Sequence, residues 1–453
     1  MAPSYRPPRW SLAGAALGLL VGLAACTGPR AEPPERPAPR VEVTQESLRG
    51  REGQAEQEGR APLWSVPADR LDQPMTQVGQ VIVVPDRREL RAVDRQTGQY
   101  QWRRPFPMSY QYALAGGLIV VSARNGGPLE VLDAATGATR WRATNTEDVV
   151  VHQQAVYNRE CVGTGRSAKC VLIARDIGDG RQLWKHSTDR HARVSDEAVG
   201  NRNPYATPAR RYVAARLNAG TYTAVVSTTG KSGARLPSRA WYGFVADDLL
   251  VSTDHDPPRG DPQCTVSITT VNVATGAEGW SGAVFSGRRE NGECAKRLAH
   301  DRSGLFLIGS GTRLVAVSAA GRPQLIDLRT GKVRWQGTAA GVPIDGDARS
   351  VLVRRTADAG ELALLDMTTG ATRWSAPDPG MSGTSASWPS TVTGRFAVVG
   401  GARDGRPSVI VYDVTTGREL GRYPGWLTGA GNDWVAVRNT GGPDGSTLDL
   451  HVF

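Results

Sequence analysis

The feature that most constrains this chain is a short unit that recurs along it, seen most completely as IDLRTGKVRW at residues 326–335. In each copy a Gly follows an Asp or Asn by four positions, and a Trp usually follows by eight. The copies are Asp94, Gly98 and Trp102; Asp133, Gly137 and Trp141; Asp176, Gly180 and Trp184; Asn272, Gly276 and Trp280; Asp327, Gly331 and Trp335; Asp366, Gly370 and Trp374; and Asp413 and Gly417, with Gly421 in the Trp position. A degenerate copy has Val226, Gly230 and Ala234 at these positions.

The residue types of the unit predict a β-hairpin. Apolar residues precede the Asp, as in LALLD at 362–366, and such a run is typical of a buried strand. The Asp can accept hydrogen bonds from the backbone just ahead of it, and the Gly can adopt the positive φ of a tight reversal. The Trp on the returning strand is large enough to fill the space between two sheets, while its indole N–H finds an acceptor.

The spacing of the units predicts an all-β fold. Successive Asp or Asn positions lie 39 to 55 residues apart, except for one gap of 96 that contains the degenerate copy. Periods of about 40 to 50 residues are typical of four-stranded propeller blades. We therefore predict an eight-bladed β-propeller over residues 61–453. The units allow eight or nine blades, and with eight the segment around 205–238 is an insertion or shares a blade with its neighbour.

The two ends of this domain have complementary gaps. Residues 63–66 (LWSV) look like a Trp-bearing last strand without its hairpin, whereas the strands at 432–439 and 447–453 lack such a strand. We expect the N-terminal strand to complete the last blade and close the ring, which leaves no long sheet edge open.

The repeat resembles the PQQ-type propeller repeat, which quinoprotein alcohol dehydrogenases share with BamB-like lipoproteins of the outer-membrane barrel-assembly machinery. Because this architecture hosts both enzymes and scaffolds, the resemblance predicts the fold better than the function. For the dehydrogenases it implies a quinone in a central funnel, two adjacent disulfide-bonded cysteines and a calcium ion. No two cysteines are adjacent here. We therefore expect no catalytic residues, no metal and no cofactor, with a PQQ-dependent dehydrogenase as the alternative.

The N-terminus predicts export. Arg6 and Arg9 precede an apolar run at residues 10–23 that ends in LAAC, which matches a bacterial lipobox. We expect residues 1–25 to be a lipoprotein signal peptide and Cys26 to carry the lipid that anchors the protein to the membrane on its extracytoplasmic side. An ordinary secretory signal or an uncleaved anchor is the alternative. Residues 26–60 should form a disordered tether, because their Pro, Arg and Glu residues cannot bury enough surface to order the chain.

Four cysteines remain after Cys26: Cys161, Cys170, Cys264 and Cys294. An even number in an exported chain predicts two disulfides, with three connectivities open. We favour Cys161 with Cys170, which flank a short hairpin loop, and then Cys264 with Cys294.

Other polar features give weaker signals. Asp254, Asp256 and Asp261 could offer oxygen ligands to calcium, but the same composition is typical of an exposed loop. His186 and His191 are expected to be solvated. The net charge of +10 would attract the exterior to an anionic membrane surface, but we favour charged, solvated blade faces. Nucleic acid is not an expected partner of an exported protein. The predicted function is a monomeric, non-catalytic scaffold that binds a protein or a cell-envelope glycan on a loop face of the propeller.

Overall fold

The structure is a computed structural model of the 453-residue chain. It describes residues 60–68, 73–106, 109–123, 126–163, 168–195, 209–218, 221–236, 242–256, 263–288, 306–307, 311–318, 320–355, 360–378, 390–403, 406–442 and 445–453. They all belong to one compact unit, Glu56–Phe453. The predicted signal peptide and nearly all of the predicted tether lie outside the described residues.

Every regular element of the described residues is a β-strand, so the predicted all-β fold is confirmed. No helix that could cross a bilayer is found in this part of the chain. In chain order the strands are β1 (Trp64–Pro67), β2 (Thr76–Val78), β3 (Val81–Pro85), β4 (Glu89–Asp94), β5 (Tyr100–Pro105), β6 (Tyr110–Ala115), β7 (Leu118–Ala123), β8 (Gly127–Asp133), β9 (Thr139–Val151), β10 (Ala155–Val162), β11 (Lys169–Asp176), β12 (Gln182–Thr188), β13 (Arg193–Val194), β14 (Tyr212–Asn218), β15 (Thr221–Val226), β16 (Ser232–Arg235), β17 (Tyr242–Ala246), β18 (Leu249–Asp256), β19 (Gln263–Asn272), β20 (Glu278–Arg288), β21 (Phe306–Leu307), β22 (Arg313–Val317), β23 (Pro323–Asp327), β24 (Val333–Gln336), β25 (Gly341–Gly346), β26 (Ser350–Arg355), β27 (Glu361–Asp366), β28 (Thr372–Pro377), β29 (Ser390–Val392), β30 (Phe396–Arg403), β31 (Arg406–Asp413), β32 (Glu419–Pro424), β33 (Trp426–Ala430), β34 (Trp434–Gly442) and β35 (Gly445–Val452).

These strands form antiparallel sheets of the kind that build propeller blades. Six four-stranded sheets each contain four consecutive strands: β2 to β5, β13 to β16, β17 to β20, β21 to β24, β25 to β28 and β29 to β32. A further four-stranded sheet, the terminal sheet, has the order β1-β35-β34-β33. Its register places Trp64 opposite Leu450, so the N-terminal strand pairs with the last strand of the chain.

One sheet has seven strands, in the order β12-β11-β10-β9-β8-β7-β6. Its central strand β9 pairs with β8 along its first half and with β10 along its second half. Asn145 and Asp148 have positive φ between the two halves. The sheet thus holds two repeat units that share one strand.

The segment around 205–238 is not an insertion and shares no strand, because its described part forms strands β14 to β16 of the β13–β16 sheet. The strand is shared elsewhere, at β9. Among the described residues there are eight sheets but nine four-stranded units, since the seven-stranded sheet contributes two. The count of eight blades therefore stays a prediction.

The hydrophobic core is divided among the junctions between neighbouring sheets. One cluster joins Leu90 of β4 to Tyr112 and Ile119 of the next unit, and all three side chains are fully buried. The last strand of a unit is largely exposed, as in β5, where Trp102 and Arg104 are half-buried and the other four residues are exposed. Neighbouring sheets therefore pack against each other through buried side chains, and in the four-stranded sheets the strand that carries the repeat Trp lies at one edge of the sheet.

Candidate functional site

The repeated Asp residues organise the hairpin turns. In the first unit the Oδ1 atom of Asp94 accepts the backbone N–H groups of Gln96 (3.0 Å) and Thr97 (2.9 Å) and the Thr97 hydroxyl (2.9 Å). These bonds, with the Thr97 N–H first, lower the pKa of Asp94 below its ordinary value. Gly98 follows with a φ of 74°, a conformation that a side chain would strain. Asp94, Thr97 and Gly98 thus serve to form the hairpin turn.

The repeated Trp residues connect each unit to the next. The Trp102 indole N–H donates to the Ala134 carbonyl (3.0 Å), and its ring lies over Gly137, where a Cβ atom would come within 2.7 Å of the ring. The same indole-to-carbonyl bond joins Trp64 to Arg95, Trp141 to Ile177, Trp184 to Ser227, Trp335 to Met367 and Trp374 to Val414. Trp64 of the N-terminal strand is therefore placed like the Trp of a complete repeat.

An arginine that the sequence analysis missed completes several turns. Arg373, directly before Trp374, bonds the second carboxylate oxygen of Asp366 at 2.5 Å. This bond is the main reason that the pKa of Asp366 falls to about 2. Arg140 with Asp133 and Arg334 with Asp327 form the same pair. The signal was available, because an Arg directly precedes the Trp in three copies of the repeat.

The two units without a Trp have different explanations. Gly421 precedes the terminal sheet, whose last two strands, β35 and β1, are not joined by an Asp–Gly hairpin. A Trp at position 421 would therefore have no turn glycine to pack on. At the other, the backbone N–H of Ala234 itself approaches the Val273 carbonyl (3.4 Å). The buried ring of Tyr222 fills this junction by packing on Gly243.

Of the predicted lipidation and disulfide sites, one is visible. Cys161 and Cys170 form a disulfide, with an S–S distance of 2.07 Å, across directly opposed residues of β10 and β11. Cys264 lies in β19, but its side chain is outside the described part of the structure. Cys26 and Cys294 also lie outside it. Lipidation of Cys26 and a Cys264–Cys294 bond therefore stay predictions.

Two of the three candidate metal ligands lie in a strand. Asp254 and Asp256 belong to strand β18 and not to a loop, while Asp261 lies outside the described residues. His191 is exposed, whereas His186 is half-buried, contrary to expectation. The His186 ring contacts Trp184 edge-on, and its Nε2 lies 2.8 Å from the Gly230 carbonyl. Within the described ranges no group of three His, Cys, Asp or Glu side chains could hold a metal ion.

Two surface clefts involve the β13–β16 sheet. The first has a volume of about 290 Å³, and two residues of its lining, Gln154 and Ser227, donate to the Arg210 backbone carbonyl at 3.0 and 2.7 Å. The second has a volume of about 270 Å³ and is lined by Leu217, Thr221, Thr223, Ser232, Gly233 and Arg235. Neither lining contains a carboxylate or an aromatic ring, so neither fits a planar quinone with its calcium ion.

The Asp345 carboxyl, on the first strand of the β25–β28 sheet, has a raised pKa. Asp345 of β25 accepts the backbone N–H of Val392 in the next sheet at 2.7 Å. Burial raises the pKa of its carboxyl to about 6, against the lowering effect of the hydrogen bonds from Gly346 and Val392. This group links β25 to β29, the first strands of two neighbouring sheets.

The sheets, the hairpin turns and the tryptophans between units define a propeller of PQQ-type repeats. The sequence model of the family described as outer membrane protein assembly factor BamB matches residues 54–265 and 244–376. The chain belongs to this family. A comparison with curated proteins found no match.

Solved structures with the same architecture include BamB from Moraxella catarrhalis, which is 17% identical, with a TM-score of 0.43 over 87% of this chain and 99% of that one. A quinohemoprotein alcohol dehydrogenase from Comamonas testosteroni is 14% identical, with a TM-score of 0.43 over 86% and 76% of the two chains.

Proposed function

We propose that this protein is a membrane-anchored, extracytoplasmic scaffold whose propeller binds a protein partner in the cell envelope. The observation that carries the proposal is membership of the BamB family, whose description is an outer membrane protein assembly factor. The repeat residues support it, because the Asp, Gly and Trp residues of the units that have them are engaged in turns and sheet junctions. What remains for binding is the surface of the sheets and the connections between strands.

The anchor in this proposal is the lipidated Cys26, and the tether of residues 26–60 gives the propeller reach from the membrane. No cofactor is part of the function. A quinoprotein oxidoreductase is the competing function, since the same repeat architecture occurs in such enzymes. A carbohydrate of the cell envelope is the competing ligand.

Affinity capture of the full-length protein from detergent-solubilised membranes tests the proposal. We expect one or a few envelope proteins to be retained in amounts comparable to the bait. Soluble material from a Cys26→Ala variant, which should leave the membrane, serves as the control. Retention of no protein above this control would contradict the scaffold function.

A second measurement addresses the competing enzyme. PQQ added with calcium should neither raise the melting temperature nor support dye reduction with alcohols or aldose sugars. Saturable binding with turnover would overturn the non-catalytic assignment in favour of the oxidoreductase.

A further inference from the structure

Positive charge is concentrated in one stretch of the sequence. Residues 198–246 contain no Asp or Glu, and their seven basic residues are Arg202, Arg210, Arg211, Arg216, Lys231, Arg235 and Arg239. The net charge of the whole chain is +10, so this stretch accounts for most of it. Strands β14 to β16 lie within it, and their unit has Val226 where the other units have an Asp or Asn. A partner of opposite charge is the complement that such a surface favours.

Two arginines of this sheet face each other. Arg193 of β13 is directly opposite Arg216 of β14, and like charges in this position destabilise a strand pair. Arg193 Nη2 donates to the Tyr222 hydroxyl at 3.2 Å. The Nε atoms of both arginines are buried without an acceptor, and in the part of the chain that the structure describes neither guanidinium forms an ion pair. A half-buried charge without a counter-charge is costly.

In the preceding unit the arginine at the same position has counter-charges. Arg159 occupies the place in β10 that Arg216 occupies in β14, since each lies four residues after the strand's first residue. The residue opposite Arg159 is Glu147, and its carboxylate bonds Arg159 at 2.8 Å. Asp148 bonds the same guanidinium at 2.6 Å. In the β13–β16 sheet an arginine, Arg193, stands where the glutamate would be.

We propose that Arg193 and Arg216 bind carboxylates of an acidic peptide segment, which makes the β13–β16 sheet the docking surface for a protein partner. The proposal rests on the scaffold function above and names the partner chemistry. A guanidinium matches a carboxylate with two parallel N–H donors, and an incoming carboxylate supplies what Glu147 supplies to Arg159.

A peptide fits this site better than a membrane does. Both arginines are half-buried on a sheet face, beside the fully buried Tyr222, and an extended side chain can reach them where a flat bilayer cannot. Arg235 on the last strand faces the other side of the sheet, because it is paired with Thr223, the residue next to Tyr222, and so it takes no part in this site. The carboxylates of an acidic segment are therefore bound at the Arg193–Arg216 pair itself.

The test uses the variant Arg193→Glu, which restores the arrangement of the preceding unit. Its control is Arg103→Glu, an identical change of charge on the exposed outer strand β5, where the Arg103 side chain is 56% exposed. The probe is a fluorescein-labelled, Glu-rich peptide, and a peptide with Gln in place of every Glu measures binding without carboxylates.

We expect the parent to bind only the Glu peptide. Arg193→Glu should weaken binding at least about tenfold, which corresponds to about 1.4 kcal/mol, and Arg103→Glu less than about twofold. The melting temperature of Arg193→Glu should equal or exceed that of the parent, because the introduced carboxylate supplies a counter-charge to Arg216. Arg216→Gln should also weaken binding without lowering the melting temperature.

Equal losses of affinity in Arg193→Glu and Arg103→Glu would overturn the site, since overall charge alone would then explain binding. Competition by inorganic phosphate or by phosphatidylglycerol vesicles as strong as that by the Glu peptide would overturn the peptide as ligand.

Affinity capture from membranes separates this inference from the scaffold function. If Arg193→Glu retains the same partners as the parent, the docking surface is wrong and the scaffold stands, whereas the absence of any partner contradicts the scaffold itself.

Discussion

Replacement of Trp64 by Ala tests whether the two ends of the domain hold each other. Trp64 is 8% exposed, packs on Gly98 of the first repeat, and donates its indole N–H to the Arg95 carbonyl at 2.8 Å. Its strand pairs with β35. The change therefore removes one of the contacts that join the terminal sheet to the first repeat, beside the Arg95–Asp433 ion pair and the hydrogen bond from Trp434 to Gln77.

The magnitude follows from the buried ring. Burial of a Trp removes about 150–250 Å² from water, and at about 25 cal/mol per Å² this gives roughly 4–6 kcal/mol as an upper figure. Measured losses for buried aromatic residues replaced by Ala are about 3–5 kcal/mol. The Arg95 carbonyl also loses its donor. A loss of about 3–5 kcal/mol is a large share of the stability of a typical domain.

Hydrogen exchange measures which strands lose stability in the variant. In Trp64→Ala we expect the amides of β34 and β35 to exchange faster by two orders of magnitude or more, because about 1.4 kcal/mol corresponds to tenfold. Leu63→Ala is the matched control, since Leu63 is the adjacent residue but is 51% exposed, and should change exchange little. If Trp64→Ala left residues 434–452 as protected as in the parent, the closing role of the N-terminal strand would be refuted.

Three further outcomes are expected. Arg373→Gln should raise the pKa of Asp366 from about 2 toward its ordinary value, and an NMR titration in which the pKa does not move would contradict the pairing. Because the pKa of Asp366 is lowered in the folded protein, its contribution to stability is present above about pH 4 and is lost as the pH falls through about 2. Asp345 has a raised pKa of about 6, so its contribution to stability is present below about pH 4 and is lost as the pH rises through about 6. The melting temperature of Asp345→Asn should therefore exceed that of the parent at pH 8 but not at pH 4. An equal difference in melting temperature at the two pH values would refute this. Cys26→Ala should move the protein from the membrane to the soluble fraction, and continued membrane binding of a processed chain would exclude the lipid anchor.

The repeat determined the fold class because each of its residues acts locally. An Asp before a turn, a Gly with positive φ and a Trp eight positions after the Asp specify a hairpin without knowledge of the rest of the chain. The Cys161–Cys170 bond was also predictable, since its two residues flank one hairpin. The absence of a Trp at Gly421 also follows from the sequence, because the next unit lacks the hairpin against which that Trp would pack.

Tertiary structure decided what depends on distant partners. The sequence did not show that β9 serves two units, because strand sharing depends on which strands meet across a bend at Asn145 and Asp148. Nor did it show that Arg193 opposes Arg216, since strand register is set by the packing of whole sheets. The turns follow from residues four to eight positions apart, whereas the unsatisfied charge arises from two residues 23 positions apart in the sequence that only pairing brings together.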